Sequence, residues 1–465
     1  MKSRRMSLLV FFISINGFFL IPAFSQTMRF ELIHRHSPVL SGRTVGAPKT
    51  RLELVKELIH SDDLRQQMIT QKLGLRRMAS EIRRNASTAI PLRSGADAGT
   101  GQYFVAFRVG SPSQKFMLIA DTGSDLTWVN CKYRCRNCRK RRFDHRRIFH
   151  AAHSSSFKTV PCLSKMCKTD LMNSFSLARC PTPVTPCAYD YRYSDGSEAL
   201  GFFAYDAVTM DLTNGRKMKL HGVLVGCSQS FMGRSFQVAD GVMGLGYSKY
   251  SFAVRAAQKF GGKFSYCLVD HLSPKNVSNY LTFGGRSANA AALTPNIQHT
   301  ELVLGVIDPF YAVNVAGISV GGVMLQIPSK VWDLAGGGGT ILDSGSSLTF
   351  LTEPAYQPLM TVMKVALIKF NKVKMDIGPL TFCFNSTGFN EALMPKLTFH
   401  FRDGARFEPP VKSYVIDVAD GVKCTGFVST GWPGVSVIGN IMQQNHYWEF
   451  DLTAKKLGFA PSTCT

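Results

Sequence analysis

The sequence predicts an all-β-dominated body of two lobes, entered by a partly helical N-terminal segment, and three observations predict it. First, Asp121-Thr122-Gly123-Ser124 returns as Asp343-Ser344-Gly345-Ser346, 222 residues later, each time directly after an apolar run at 116–120 and 340–342. Second, each phrase is followed by an apolar pair ended by glycine, Gly241-Val242-Met243-Gly244-Leu245-Gly246 after the first and Val435-Ser436-Val437-Ile438-Gly439-Asn440 after the second. Such an internal echo suits one copy per lobe. Third, from Gly101-Gln102-Tyr103-Phe104 onward the chain becomes a series of short β-forming runs broken by Gly, Ser, Asn and Asp. At 465 residues it also exceeds the usual size of a single core.

In chain order, Lys2, Arg4 and Arg5 precede an apolar stretch from Leu8 to Ile21, and Ala23 and Ser25 supply small residues before Gln26. This pattern predicts a secretory signal peptide over 1–25. Residues 26–90 lack cysteine, and 51–82 read as helical, with Leu52, Val55, Leu58 and Ile59 spaced for one apolar face. This is a candidate prosegment. The lobes are expected over 91–272 and 273–465. No later stretch approaches the ~18 consecutive apolar residues of a membrane span, so no membrane anchor is expected after cleavage.

A β-run that stops at Asp-Thr/Ser-Gly reads as a buried strand ending in a tight turn, where glycine lets backbone approach the carboxylate. A single such phrase is ordinarily a turn with a solvated Asp. Two facing copies bring Asp121 and Asp343 together, where both cannot ionise easily. They then share a proton, one serving as base on a water while the other donates to a carbonyl. The glycine run at 241–246 lacks the lysine of a P-loop and the strand–helix frame of a dinucleotide site. Gly336 to Gly339 reads as a flexible entry to the second strand. No cofactor is expected.

The formal net charge is +23, and beyond residue 90 the chain holds 39 basic and 25 acidic side chains. Much of that excess is the cluster 132–147, with Lys132, Arg134, Arg136, Arg139, Lys140, Arg141, Arg142, Arg146 and Arg147 against Asp144 alone. It reads first as a solvated loop, with an acidic polymer or surface as the lesser partner. No aromatic interleaving suggests base stacking, so nucleic acid is not expected. Twelve cysteines after a signal peptide read as up to six disulfides in an oxidising compartment. The rival is a zinc knuckle at Cys131, Cys135 and Cys138 with His145, His150 or His153; oxidation is favoured, and no metal is expected. Sequons at Asn85, Asn276 and Asn385 agree with the secretory route.

With these residues in hand, the chain resembles the pepsin-like aspartic proteases, in the nepenthesin-like group of plants. The resemblance rests on the two turns and on Ile90-Pro91-Leu92-Arg93-Ser94-Gly95, Lys263-Phe264-Ser265-Tyr266-Cys267-Leu268-Val269-Asp270 and Ile438-Gly439-Asn440-Ile441-Met442-Gln443-Gln444-Asn445, and more weakly on Leu32-Ile33-His34-Arg35-His36-Ser37-Pro38. It implies a bilobal fold with a cleft between the lobes, and Asp121 and Asp343 as catalytic pair. Thr122 and Ser344 would join the two turns from beneath, while Ser124 and Ser346 would bond the outer carboxylate oxygens. Tyr191-Arg192-Tyr193-Ser194-Asp195-Gly196-Ser197 is similar to the flap hairpin, with Tyr193 closing over substrate and Trp128 as its indole partner. Asp195 beside Gly196 either caps the hairpin turn or favours basic substrate residues. The cysteine order implies the pairs Cys131–Cys135, Cys138–Cys227, Cys162–Cys187, Cys167–Cys180, Cys267–Cys464 and Cys383–Cys424. The Cys-x3-Cys spacing of the first departs from the group's more common Cys-x2-Cys.

The expected function is an aspartic endopeptidase made as a zymogen, acting on polypeptides at acidic pH as a monomer. Its prosegment would set a basic residue against the acidic pair. The alternative is a catalytically inactive, inhibitor-like binding protein of the same fold; such relatives usually lose a catalytic Asp, and here both turns are intact. The secretory route leads to the apoplast or vacuole, with plastids as a further destination.

Overall fold

The computed structural model describes residues 27–34, 37, 50–60, 62–63, 65–67, 69–70, 103–133, 147–171, 178–192, 198–212, 214–232, 236, 239–269, 279–285, 296–375 and 377–464. Residues 1–25, where a signal peptide is expected, and Tyr193, Asp195, Gly196, Cys135, Cys138, Asn85, Asn276 and most of the basic cluster lie outside them. Among the described residues no helix is long and apolar enough to cross a membrane.

In the first lobe Tyr103–Val109 and Gln114–Asp121 form an antiparallel pair. Gly110 makes the turn possible with φ +98°, a conformation L side chains rarely adopt. Gln114–Asp121 then runs parallel to Gly241–Gly244, with Asp121 opposite Gly244, and the same short strand lies antiparallel to Trp128–Lys132. The second lobe repeats this arrangement. Thr340–Asp343 runs parallel to Ser436–Gly439, with Asp343 opposite Gly439, while Phe350 of Thr349–Thr352 opposes Val437. The glycine echo follows from this crossing of strands. A Cβ on Gly241 would lie 2.0 Å from the Trp128 carbonyl oxygen, and one on Gly439 would lie 2.0 Å from that of Leu348.

A sheet between the lobes carries Lys263–Cys267 paired with Asn279–Phe283 on one side and His446–Asp451 on the other. The N-terminal strand Met28–His34 extends it, with Met28 opposite Phe283 and His34 opposite Tyr103. Met28, Phe30, Leu32 and His34 alternate inward, the period of a half-buried strand. This strand is absent from the sequence expectations, which gave the region only a helix.

That helix is present, covering every described residue from 51 to 70. Thr50 Oγ1 accepts from the Glu53 amide at 3.3 Å and Glu53 Oε2 accepts from the Thr50 amide at 2.7 Å, a reciprocal N-terminal cap. Leu58, Ile59 and Ile69 are buried; Ile59 and Ile69, with Leu52 and Val55 beside them, pack against the second lobe's Ile307, Phe310, Ile341 and Ile377. Each fully buried aliphatic side chain contributes about 1.5–3 kcal/mol.

The disulfides correct the expected pairing in one region. Cys267–Cys464 and Cys383–Cys424 stand as expected, the latter at directly opposed positions of antiparallel strands. Cys131, however, pairs with Cys227, not Cys135, because Trp128–Lys132 runs parallel to Lys217–Met232 and brings the two Cα atoms to 5.0 Å. The Cys138–Cys227 pair is overturned with it. Cys162 pairs with Cys180 and Cys167 with Cys187, at Cα separations of 5.1 Å and 5.7 Å, reversing the expected partners Cys187 and Cys180. Here Ala178–Arg179 folds back on Ala188–Arg192, so neighbours in space replace the order along the chain.

Candidate active site

Each parallel strand crossing ends in a carboxylate. Asp121 is 1% exposed and Asp343 is fully buried. Asp121 Oδ1 accepts from the Gly123 amide at 2.9 Å, and its Oδ2 accepts from the Ser124 hydroxyl. The second turn repeats this, with Asp343 Oδ1 accepting from the Gly345 amide at 3.0 Å and Oδ2 from the Ser346 hydroxyl at 2.7 Å. Beneath them, the Ser344 amide donates to Thr122 Oγ1 at 2.9 Å, while the Thr122 amide and hydroxyl donate to Ser344 Oγ at 3.3 Å and 3.2 Å. These bonds tie the two turns into one unit. Asn440, opening the segment after the second glycine echo, donates its Nδ2–H to the Ser344 carbonyl at 3.0 Å.

A cation bridges the pair. Arg65, from the N-terminal helix, is completely buried and donates from Nε to Asp343 Oδ2 at 2.5 Å and from Nη2 to Asp343 Oδ1 at 2.6 Å. The same Nη2 reaches Asp121 Oδ1 at 2.6 Å, with Nη1 3.3 Å from Asp121 Oδ2. The planar guanidinium suits this two-sided contact. Both glycines make room for it: an added Cβ would lie 2.2 Å from Arg65 Nη2 at Gly123 and 2.3 Å from Arg65 Cζ at Gly345. Three residues earlier, buried Asp62 accepts from the Ser347 amide at 2.7 Å and the Leu348 amide at 2.6 Å, on the turn that leaves Asp343.

The electrostatics follow from burial and from that cation. Burial alone would raise Asp121, but the Arg65 charge and the hydrogen bonds from Arg65, Ser124 and Gly123 outweigh it and hold the carboxyl below its ordinary value. Arg65 is held even more firmly protonated: the Asp121 and Asp343 charges and hydrogen bonds overcome burial, which opposes it. Asp62 goes the other way, pushed by burial up to about 7 against the pull of its two amide donors and of Arg65.

The structure thus brings together Asp121, Thr122, Gly123, Ser124, Asp343, Ser344, Gly345 and Ser346. Trp128 is buried, its ring against Phe231 and Phe236 at 5.3 Å and 5.1 Å. The strands Ala188–Arg192 and Glu198–Asp211, which flank the expected flap, pair antiparallel with Arg192 opposite Glu198; Tyr193 and Asp195 lie outside the described residues. The Tyr191 hydroxyl donates to Asp125 Oδ1 at 2.7 Å. Asn385 is exposed. No group of three or more His, Cys, Asp or Glu among the described residues is arranged to hold a metal ion. The sequence reading expected a basic residue against the pair without naming Arg65, and it passed over Asp62. A signal existed, because Leu58, Asp62, Arg65 and Ile69 recur at three- and four-residue spacing, which sets two charges on the buried stripe of an amphipathic helix.

Comparison with known proteins agrees with this geometry. Residues 103–285 match the family described as xylanase inhibitor N-terminal, and 310–461 match xylanase inhibitor C-terminal. The chain is 34% identical over 375 residues to aspartyl protease family protein 2 of Arabidopsis thaliana, covering 80% of this chain and 73% of that one. It is 30% identical over 423 residues to aspartic proteinase nepenthesin-2 of Nepenthes gracilis, covering 90% and 88%. Among solved structures, soybean basic 7S globulin superposes with a TM-score of 0.60 at 21% identity, over 79% of this chain and 94% of that one. Conglutin gamma from lupine seeds gives 0.61 at 19%, over 79% and 93%.

Proposed function

The chain belongs to the plant family of pepsin-like aspartic proteases and is an aspartic-type endopeptidase, and from that premise we propose that Asp121 and Asp343 are its catalytic pair and that residues 26–90 are the prosegment of a zymogen. A water between the two carboxyls is activated when one accepts its proton, while the other supports the oxygen of the scissile carbonyl. The Thr122–Ser344 bonds hold the two groups at a fixed separation, and Ser124 and Ser346 stabilise the ionised member. Polypeptides are the substrates. The observation that carries this reading is Arg65 bonded to both carboxylates at once, since it occupies the oxygens that a water and a peptide would need.

In this reading the leader over 1–25 directs the chain into the secretory pathway, and lobes over 91–272 and 273–465 flank the cleft. Tyr193 and Asp195 would sit at the flap tip. A second reading keeps the fold and drops the chemistry, because the matching family models are named for xylanase inhibitors. One experiment separates them: the purified precursor is acidified and followed for chain shortening and for cleavage of a denatured protein, with and without a pepsin-type transition-state inhibitor. Inhibitor-sensitive cleavage supports the protease. Its absence, with capture of a xylanase, supports the binding protein.

A further inference from the structure

We propose that the adjacent backbone amides of Ser347 and Leu348 form a subsite that selects a carboxyl side chain of the substrate, filled here by the chain's own Asp62; this rests on the reading of Asp121 and Asp343 as the catalytic pair. The two amides meet different oxygens of one group, Ser347 N–H to Oδ1 at 2.7 Å and Leu348 N–H to Oδ2 at 2.6 Å. Ser347 Oγ is buried beside the same carboxyl, near enough to favour its ionised form. Asp62 and Arg65 are three residues apart on one helix, so the departure of Arg65 from the carboxylates takes Asp62 with it. Two buried donors and a buried hydroxyl are then left facing the cleft, at a distance from the reacting bond fixed by the turn 343–348.

The donor pattern discriminates by chemistry. A carboxyl offers an acceptor to each amide, whereas a carboxamide of the same shape sets its NH2 against one of the two N–H groups. A site built this way rejects the analogue that leaves a buried donor unpaired. The pocket does not need to strip water from a charge at acidic pH. Burial carries the Asp62 carboxyl to about 7, so below that pH the occupant is the neutral acid. Among the charged groups acting on it, Arg65 favours the ionised form but leaves with the helix.

The test uses the acid-processed enzyme and quenched fluorescent peptides in which a single Glu, or Gln in its place, is walked through every position flanking one scissile bond. At one position only, Glu should exceed Gln in kcat/KM by about tenfold at acidic pH. Ser347→Ala should reduce that ratio while both amides remain. Equal rates for Glu and Gln at every position overturn the subsite. Failure to cleave any peptide overturns the catalytic reading itself. The wild-type scan decides even where the variant does not fold.

Discussion

Arg65 and Asp343 meet through two parallel hydrogen bonds, Nε to Oδ2 at 2.5 Å and Nη2 to Oδ1 at 2.6 Å, with both side chains fully buried. This fork holds the N-terminal helix across the cleft, and the further contact with Asp121 closes the pair from the other side. Removing one partner of a buried, hydrogen-bonded ion pair costs about 3–5 kcal/mol, because the remaining charge loses its compensation. Arg65→Ala should therefore weaken docking by that order and give a precursor that cleaves peptides before it is processed. Assay of unprocessed Arg65→Ala beside wild type checks this; two equally silent precursors count against the lock.

The grip of the helix should also depend on its apolar contacts. Ile69 is 1% exposed against the second lobe's cluster and touches neither carboxylate pair nor substrate oxygens in this account. Ile69→Ala should cost about 2–5 kcal/mol of docking and speed acid activation, leaving the processed enzyme's kcat unchanged. Activation time courses with wild type and variant measure it.

Two carboxyls give docking opposite pH senses. Asp121 is held below its ordinary value, so its contribution to docking is present above that value and is lost as pH falls through the lowered one. Asp62 titrates near 7 when docked and at its ordinary 3.8 when free, so acidification between those values favours the docked helix. Release should thus begin only below the ordinary carboxylate range. Hydrogen exchange of the helix amides, corrected for intrinsic rates, should show more protection at mildly acidic than at neutral pH, and Asp62→Asn should remove that difference. Because these groups are buried, added salt should matter little; release by moderate salt at neutral pH would contradict the scheme.

The two turns were legible because their requirements are local: glycine beside a carboxylate, a hydroxyl three residues on, and an apolar strand before. Even Gly241 and Gly439 announced themselves, since strand crossing excludes a Cβ there. What escaped depends on distant partners. Met28–His34 becomes a strand because Asn279–Phe283 offers it an edge, and nothing within the strand names that edge. Cys167 finds Cys187 instead of Cys180 for the same reason, through the fold-back of Ala178–Arg179. Arg65 and Asp62 lay between, visible as charges on an apolar stripe but not as partners of Asp343 and Leu348.

The disulfide arrangement has its own check. Peptide mapping without reduction should recover Cys131 linked to Cys227, Cys162 to Cys180 and Cys167 to Cys187. Recovery of a Cys162–Cys187 linkage would restore the order implied by resemblance.

The central claim is that Asp121 and Asp343 act as one acid–base unit, and its most direct measurement is acid-pH cleavage of a quenched peptide by Asp121→Asn, Asp343→Asn and the double variant, each first shown to be folded. Coupled groups lose function together. Each single substitution should lower kcat by about 10^4-fold or more, with the double variant little worse than either. Near-full activity in either single variant would contradict the account.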